Sequence, residues 1–234
     1  MLGTSFVDQL IGKNWQLQKL RQKYGNIAPL TKYLNTPLPL KNHNINSIRF
    51  VAVDFETTGL NPSTDKILSF GAVELSTEQI CLSSSTEVVL RNEKHVRRES
   101  AVINGILPQY ILEHGVEVHS ALRIMLDKLS GKVLLAHNAQ IELLFLQALV
   151  EQCFGLTKLP CLVIDTLKLE KQFSYLSKRK IHGSYQLNEL RAQYQLPDYH
   201  AHDAASDALA CAELFLAQLS KFGLYDCKLK KLLA

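Results

Sequence analysis

The sequence predicts an α/β fold in which a mixed β-sheet is flanked by helices, and three observations carry that expectation. Between Ile48 and Leu90, three aliphatic and β-branched runs follow one another at hairpin-like spacing. Beyond them, short wholly apolar runs alternate with stretches of helical periodicity, the order of parallel strands joined by crossover helices. The chain also has material for a core, with 47% hydrophobic and 21% charged residues over 234 positions.

Residues 1–47 differ in kind from the rest of the chain. Phe6, Leu10, Trp15, Leu17 and Leu20 are loosely helical in spacing, and Tyr24-Gly-Asn26 with Pro29, Pro37 and Pro39 breaks the pattern. This predicts a helical N-terminal extension and linker over 1–47 and a main domain over 48–234. Ile48-Arg-Phe-Val-Ala-Val-Asp54 reads as a buried strand, Thr57 to Pro62 as a turn, Ile67–Leu75 as a second strand and Ile80–Leu90 as a third, reached through the polar Ser76–Gln79. Helix is expected from Val102 to Leu129, ending at Gly131. Val133–Ala136 and Leu162–Asp165 read as central strands. Helices are expected from Ile141 to Cys153, from Thr166, around Leu187–Leu190, and from Ala204 to about Phe222.

No apolar run approaches the ~18 residues of a membrane span, and the leading residues lack the pattern of a secretory signal, so a cytoplasmic location and no membrane partner are expected. Cys81, Cys153, Cys161, Cys211 and Cys227 are scattered and odd in number, as for free thiols in a reducing compartment. The net charge is +4, and residues 1–47 alone carry Lys13, Lys19, Arg21, Lys23, Lys32 and Lys41 against Asp8. All of the basic excess therefore lies in the leading segment, placed to meet a phosphate backbone, an acidic partner or water.

Three acidic clusters carry chemistry. Asp54 and Glu56, two apart on an extended segment, point to one side of the sheet at a strand's C-terminal end. Two acids so close repel unless a proton or a hard divalent cation neutralises them, and Thr57-Thr58-Gly59 behind them offers backbone N–H groups. His137-Asn138 leads from a buried strand into a helix whose first turn carries Glu142, a position where an acid ordinarily only complements the helix dipole. At the start of the last helix stand His202 and Asp207, with Asp203 the expected N-cap.

These three stretches, Val51-Ala-Val-Asp-Phe-Glu-Thr-Thr-Gly-Leu60, Ala136-His-Asn-Ala-Gln-Ile-Glu-Leu-Leu-Phe-Leu146 and His202-Asp-Ala-Ala-Ser-Asp-Ala-Leu-Ala210, resemble the three motifs of the histidine-bearing branch of the DEDD exonucleases, among them the epsilon proofreading subunits of bacterial DNA polymerase III. Val102-Ile-Asn-Gly-Ile106 and Asp165-Thr166-Leu167 add weaker similarities. The resemblance spans roughly residues 48–220 and leaves 1–47 without a counterpart. It implies a ribonuclease H-like fold and a 3′→5′ exonuclease using two Mg²⁺ or Mn²⁺ ions, which releases nucleoside 5′-monophosphates from single-stranded or 3′-ended DNA or RNA. By the same resemblance Asp54, Glu56, Glu142 and Asp207 hold metal and His202 is the general base. Thr57, Thr58, Gly59 and Leu60 cradle the terminal nucleotide, with His137 and Asn138 beside it.

The chain departs from the family at Glu142, where the motif has Asp. That motivates a rival reading, a nucleic-acid-binding module that keeps the shell with weak or no catalysis. A zinc hydrolase built on His200, His202 and Asp203 is a second rival, but His43, His95, His114, His119 and His182 supply no further ligand-like spacing. The clusters Lys168, Lys171, Lys178, Arg179, Lys180 and Arg91, Lys94, Arg97, Arg98 are candidates for backbone contacts, and the leading segment for a protein partner.

Overall fold

A computed structural model of the chain describes residues 12–176, 184–199 and 203–234. Two helices open it, α1 (Lys13–Tyr24) and α2 (Ala28–Asn35). The strands β1 (Phe50–Thr57), β2 (Ile67–Leu75) and β3 (Ile80–Val89) come next, then α3 (Arg98–Asn104), α4 (Pro108–His114) and α5 (Val118–Leu129). Strand β4 (Val133–Ala136) leads to α6 (Gln140–Phe154), and β5 (Val163–Asp165) to α7 (Thr166–Leu176). The last helices are α8 (Leu187–Gln193) and α9 (Ala204–Lys221).

The strands form one mixed sheet in the order β3-β2-β1-β4-β5. β1 pairs antiparallel with β2 and parallel with β4, whose other neighbour β5 is also parallel. Phe50, Val51, Ala52 and Val53 are all buried, so β1 is covered on both faces, which is why its sequence runs apolar rather than alternating. Phe50 meets Phe215 of α9 at 5.4 Å between ring centres, and this sets the face to which Ala52, Asp54 and Glu56 also belong. The expected α/β architecture, a mixed sheet flanked by helices with helices ahead of it, is the one observed.

Two boundaries differ from the sequence reading. β1 continues three residues past Asp54, with an irregularity in register between Glu56 and Thr57, so the acidic pair lies within the sheet. The single helical stretch expected from Val102 to Leu129 is three helices, because Gly105 takes a left-handed conformation at φ 66° and Pro108 and Gly115 break the chain again.

The leading segment is not set apart from the core. Leu17, Leu30, Tyr33, Leu34 and Leu38 are buried in the same apolar cluster as the sheet, and the Tyr33 hydroxyl donates to the carbonyl of Pro160 at 2.7 Å. Asn14 brackets Leu38, its Nδ2 donating to the Leu38 carbonyl and its Oδ1 accepting from the Leu38 N–H. A boundary at 47/48 therefore cuts through packed side chains. Of the prolines that read as a linker, Pro29 opens α2 and Pro37 and Pro39 flank the buried Leu38. Phe6 and Leu10 lie outside the described residues. No described helix is long and apolar enough to cross a membrane.

Candidate active site

Strand β1 and helix α9 bring three carboxylates together. Asp54 and Glu56 project from β1 on the face covered by α9, and Asp207 lies in the first turn of that helix. One oxygen from each of the three lies within 4.8 Å of the others. The helix start is held by Asp203, whose Oδ1 accepts from the N–H groups of Ala205 at 3.0 Å and Ser206 at 3.4 Å. Close approach to the sheet depends on Gly71, the cross-strand neighbour of Asp54: a Cβ there would lie 1.9 Å from the Ala204 carbonyl oxygen.

The electrostatics record the cost of that assembly. Burial holds the Asp54 carboxyl well above its ordinary pKa, and the charges of Glu142, Asp207, Glu56 and Asp203 push in the same direction. Glu56 is raised to about 7, first by burial and then by Asp207, Asp203 and Glu87. Glu142 is raised to about 8 by burial, with a further push from Asp165. Its Oε2 is buried without a hydrogen-bond partner among the described residues, and so is Oδ2 of Asp165. Glu142 stands close enough for its charge to act on Asp54, yet it is not one of the three acids whose oxygens converge.

On the β2 side of these acids, residues 57–66 form a turn closed by its own side chains. The Thr58 N–H donates to the Lys66 carbonyl at 2.9 Å and the Lys66 N–H to the Thr58 hydroxyl at 3.0 Å. The Thr57 hydroxyl donates to the Gly59 carbonyl at 2.7 Å. Buried Asp65 accepts from the Asn61 N–H at 2.9 Å and from Arg97 at 2.8 Å. Position 59 must be glycine, because a Cβ would come within 2.5 Å of Asp65 Oδ2. Asn104, at the end of α3, reaches the Thr57 carbonyl at 3.5 Å. Leu60 is left 77% exposed at the tip, an apolar side chain with nothing packed over most of it.

On the other side, β4 delivers His137 and Asn138. Tyr185 offers its carbonyl to His137 Nε2 at 2.8 Å, so Nε2 carries the proton and Nδ1 accepts from the Thr166 hydroxyl at 2.8 Å. Burial lowers the His137 pKa, which keeps the ring neutral and both bonds intact. Asn138 has φ 65°, and its N–H donates to Asp165 Oδ1 at 3.0 Å. A cleft of about 700 Å³ opens here, with Asp54 and Asp207 at one end and His137, Asn138, Lys171 and Tyr185 in its walls. His202 and His200 lie outside the described residues.

Comparison with known proteins agrees with this arrangement. The family described as Exonuclease (RNase_T) matches residues 51–215, a span that begins in β1 and ends in α9. The chain belongs to this exonuclease family. It is 30% identical over 176 residues to the DNA polymerase III subunit epsilon of Treponema pallidum, covering 74% of this chain and 77% of that protein. A PolC-type DNA polymerase III from Thermotoga petrophila is 34% identical over 168 residues, 71% of this chain. The chain spans only 12% of that polymerase's length. Among solved structures, exonuclease I from Methylocaldum szegediense superposes with a TM-score of 0.65 at 16% identity, covering 74% of this chain and 41% of the other. The fold is ribonuclease H-like, and the exonuclease is of the histidine-bearing DEDD type.

Within the exonuclease domain, the structure gathers Asp54, Glu56 and Asp207, sets Glu142 beside them, and places the turn and the His137–Asn138 wall on opposite flanks. Sequence reasoning missed Gly71 and Asp65, and took Arg97 for a backbone-contact candidate rather than the partner of Asp65. A glycine interrupting a largely apolar strand was the available signal for Gly71. For Asp65, the signal was an acid six residues after a glycine turn. Nothing local paired Arg97 with Asp65, since the two come from different elements.

Proposed function

We propose that this exonuclease domain is a divalent-cation-dependent 3′→5′ exonuclease that releases nucleoside 5′-monophosphates from DNA or RNA ends. The observation that carries the reading is the convergence of Asp54, Glu56 and Asp207 beside the partnerless Glu142 Oε2. Asp54, Glu56 and Glu142, all raised first by burial, form with Asp207 a hard-oxygen donor set suited to Mg²⁺ or Mn²⁺. Two such ions, typically ~4 Å apart, would supply charge stabilisation at the attacking and leaving oxygens. Asp54, Glu56 and Asp207 would hold them, with Glu142 reaching the second.

The chain's own residues supply the rest. Thr57, Thr58 and Gly59 present the turn to the terminal 3′-hydroxyl, and Leu60 lies ready to stack on the last base. His202, at the approach to α9, takes the proton of the attacking water in this reading, as a group of near-neutral pKa can. The basic face of α1 is the proposed surface for a protein partner. Stepwise shortening of 5′-labelled DNA and RNA oligonucleotides, measured against Mg²⁺ or Mn²⁺, tests the function and its substrate preference together. Full hydrolysis in excess EDTA would overturn it.

The position of Glu142 outside the converging triplet favours a second reading, a nucleic-acid-binding module with slow hydrolysis. Under that reading Glu142→Asp raises the rate by ~tenfold or more, as ~1.4 kcal/mol of better transition-state stabilisation would. Under the first it changes the rate modestly.

A further inference from the structure

Beyond Asp54 and Asp207, the cleft is lined by side chains that have no part in the proposed cleavage step, Lys171 and Tyr185 among them. It lies at the C-terminal ends of β4 and β5, on the opposite side of β1 from the turn that carries Leu60. Its volume is that of a ligand site, which commonly spans roughly 300–1,000 Å³, and it is continuous with Asp54 and Asp207. Whatever fills it is therefore joined to, or immediately beside, the group that reacts.

Its chemistry points to a phosphate and a base. Lys171 and Arg191 are the cations among its described lining residues. Arg191 is committed elsewhere: it is buried, donates to the carbonyls of Ala210 at 2.7 Å and Pro197 at 2.6 Å, and pairs with Glu213 at 2.8 Å. Lys171 is exposed, and its contact among the described residues is with the Tyr185 ring, whose centre is 5.0 Å from Nζ. Tyr185 is itself held in the wall through its carbonyl by His137. An aromatic face beside an exposed ammonium is the pairing that single strands use, the ring for a base and the cation for the backbone.

We propose that this cleft binds the nucleotides immediately 5′ of the scissile bond, with Lys171 on a backbone phosphate and Tyr185 against a base. The proposal rests on the exonuclease reading, which puts the terminal nucleotide on the 57–60 turn. A strand entered there and cut at the acids must leave towards β4 and β5. The acids repel the strand at the point of cutting, so a cation just beyond them offsets that repulsion where it does not compete for the metal ligands.

The test compares two substrates. One is a 5′-labelled oligothymidylate. The other is the p-nitrophenyl ester of thymidine 5′-monophosphate, in which a nitrophenolate replaces everything upstream of the scissile bond. For Lys171→Ala the expected result is a KM raised about tenfold on the oligonucleotide, a loss confined to the substrate with upstream nucleotides, and recovery in Lys171→Arg. The slope of log affinity against log salt, read by fluorescence anisotropy in Ca²⁺, should fall by about 0.7, one single-strand phosphate contact. Tyr185→Ala should weaken oligonucleotide binding in the same assay. Arg123→Ala, at an exposed position of α5 outside the cleft lining, removes equal charge elsewhere and serves as control.

Equal KM changes on both substrates, an unchanged affinity in Lys171→Ala, or an equal loss in Arg123→Ala would each overturn the proposal. If the unaltered protein hydrolyses neither substrate but binds the oligonucleotide through Lys171, the exonuclease reading falls and the cleft stands. Absence of binding removes both.

Discussion

Two sets of buried acids in this domain have opposite circumstances. Asp65 is 5% exposed and Glu170 1%. Asp65 meets Arg97, the Asn61 N–H and the Thr58 hydroxyl. Glu170 accepts from Ser174 at 2.7 Å, Tyr194 at 2.6 Å and Gln218 at 2.8 Å, with Lys221 at 3.8 Å. Asp54, Glu56 and Glu142 are also withdrawn from water, and burial raises the pKa of all three, with further acids pushing the same way: Glu142, Asp207, Glu56 and Asp203 on Asp54, Asp207, Asp203 and Glu87 on Glu56, and Asp165 on Glu142. Burial of a carboxylate does not mark a functional site by itself. Burial left uncompensated by protein donors or cations does, because the fold then tolerates a cost that a bound cation would relieve.

The sharpest test of that contrast is Asp54→Asn. Hydrolysis should fall by at least ~10³-fold, equivalent to ~4 kcal/mol of lost transition-state stabilisation, while the melting temperature of the cation-free protein stays level or rises as repulsion is relieved. A large drop in thermal stability would instead place Asp54 with Asp65 and Glu170.

Next comes Glu142→Gln. It should cost ~10–100-fold in Mn²⁺ affinity or activity, and undiminished values would leave Glu142 with only a helix-terminus role.

The pH dependence of stability stems from the same residues. Glu56 at about 7 and Glu142 at about 8 both lie above the ordinary value of 4.5. An acid whose folded pKa is raised is bound to its proton more tightly in the native state. The stability it contributes is complete below the unfolded pKa and is lost as pH rises through the folded one. Cation-free protein should therefore lose thermal stability between about pH 4.5 and 8, Mn²⁺ should restore it at pH 8, and Glu142→Gln should flatten the curve. A flat profile in the unaltered protein would mean that Glu56 and Glu142 carry no uncompensated charge at neutral pH.

Smaller effects are expected on the satisfied side. Asp65→Ala strands the Asn61 N–H and the Thr58 hydroxyl and should cost ~2 kcal/mol, or a melting temperature lower by ~4–8 °C in a domain of this size, with Mn²⁺ affinity retained. Glu170→Gln keeps the shape and removes the charge, and should cost ~1 kcal/mol with activity unchanged. Loss of Mn²⁺ binding in either variant would show that the two sets are coupled.

Much of this arrangement was legible in the sequence by itself. Strand and helix periods are local properties of which residues must face the core, so the five strands and the four helices from Ile141 onward could be read from apolar spacing alone. The pairing of Asp54 with Glu56 follows from a two-residue alternation, and the capping of α9 by Asp203 from its position. Other features needed partners distant in sequence. That α1 and α2 belong to the core depended on Tyr33 finding Pro160 and Leu38 finding Asn14, contacts that Pro29, Pro37 and Pro39 concealed by resembling a linker. Whether Glu142 joined Asp54, Glu56 and Asp207 depended on the direction of a side chain one methylene longer than the family's, which no spacing rule specifies. The role of Gly71 existed only once α9 lay across β2, because a glycine's missing Cβ has meaning only against the atoms that approach it. Local periodicity is written along the chain, whereas the compensation of a buried charge is a property of the neighbours that folding brings to it.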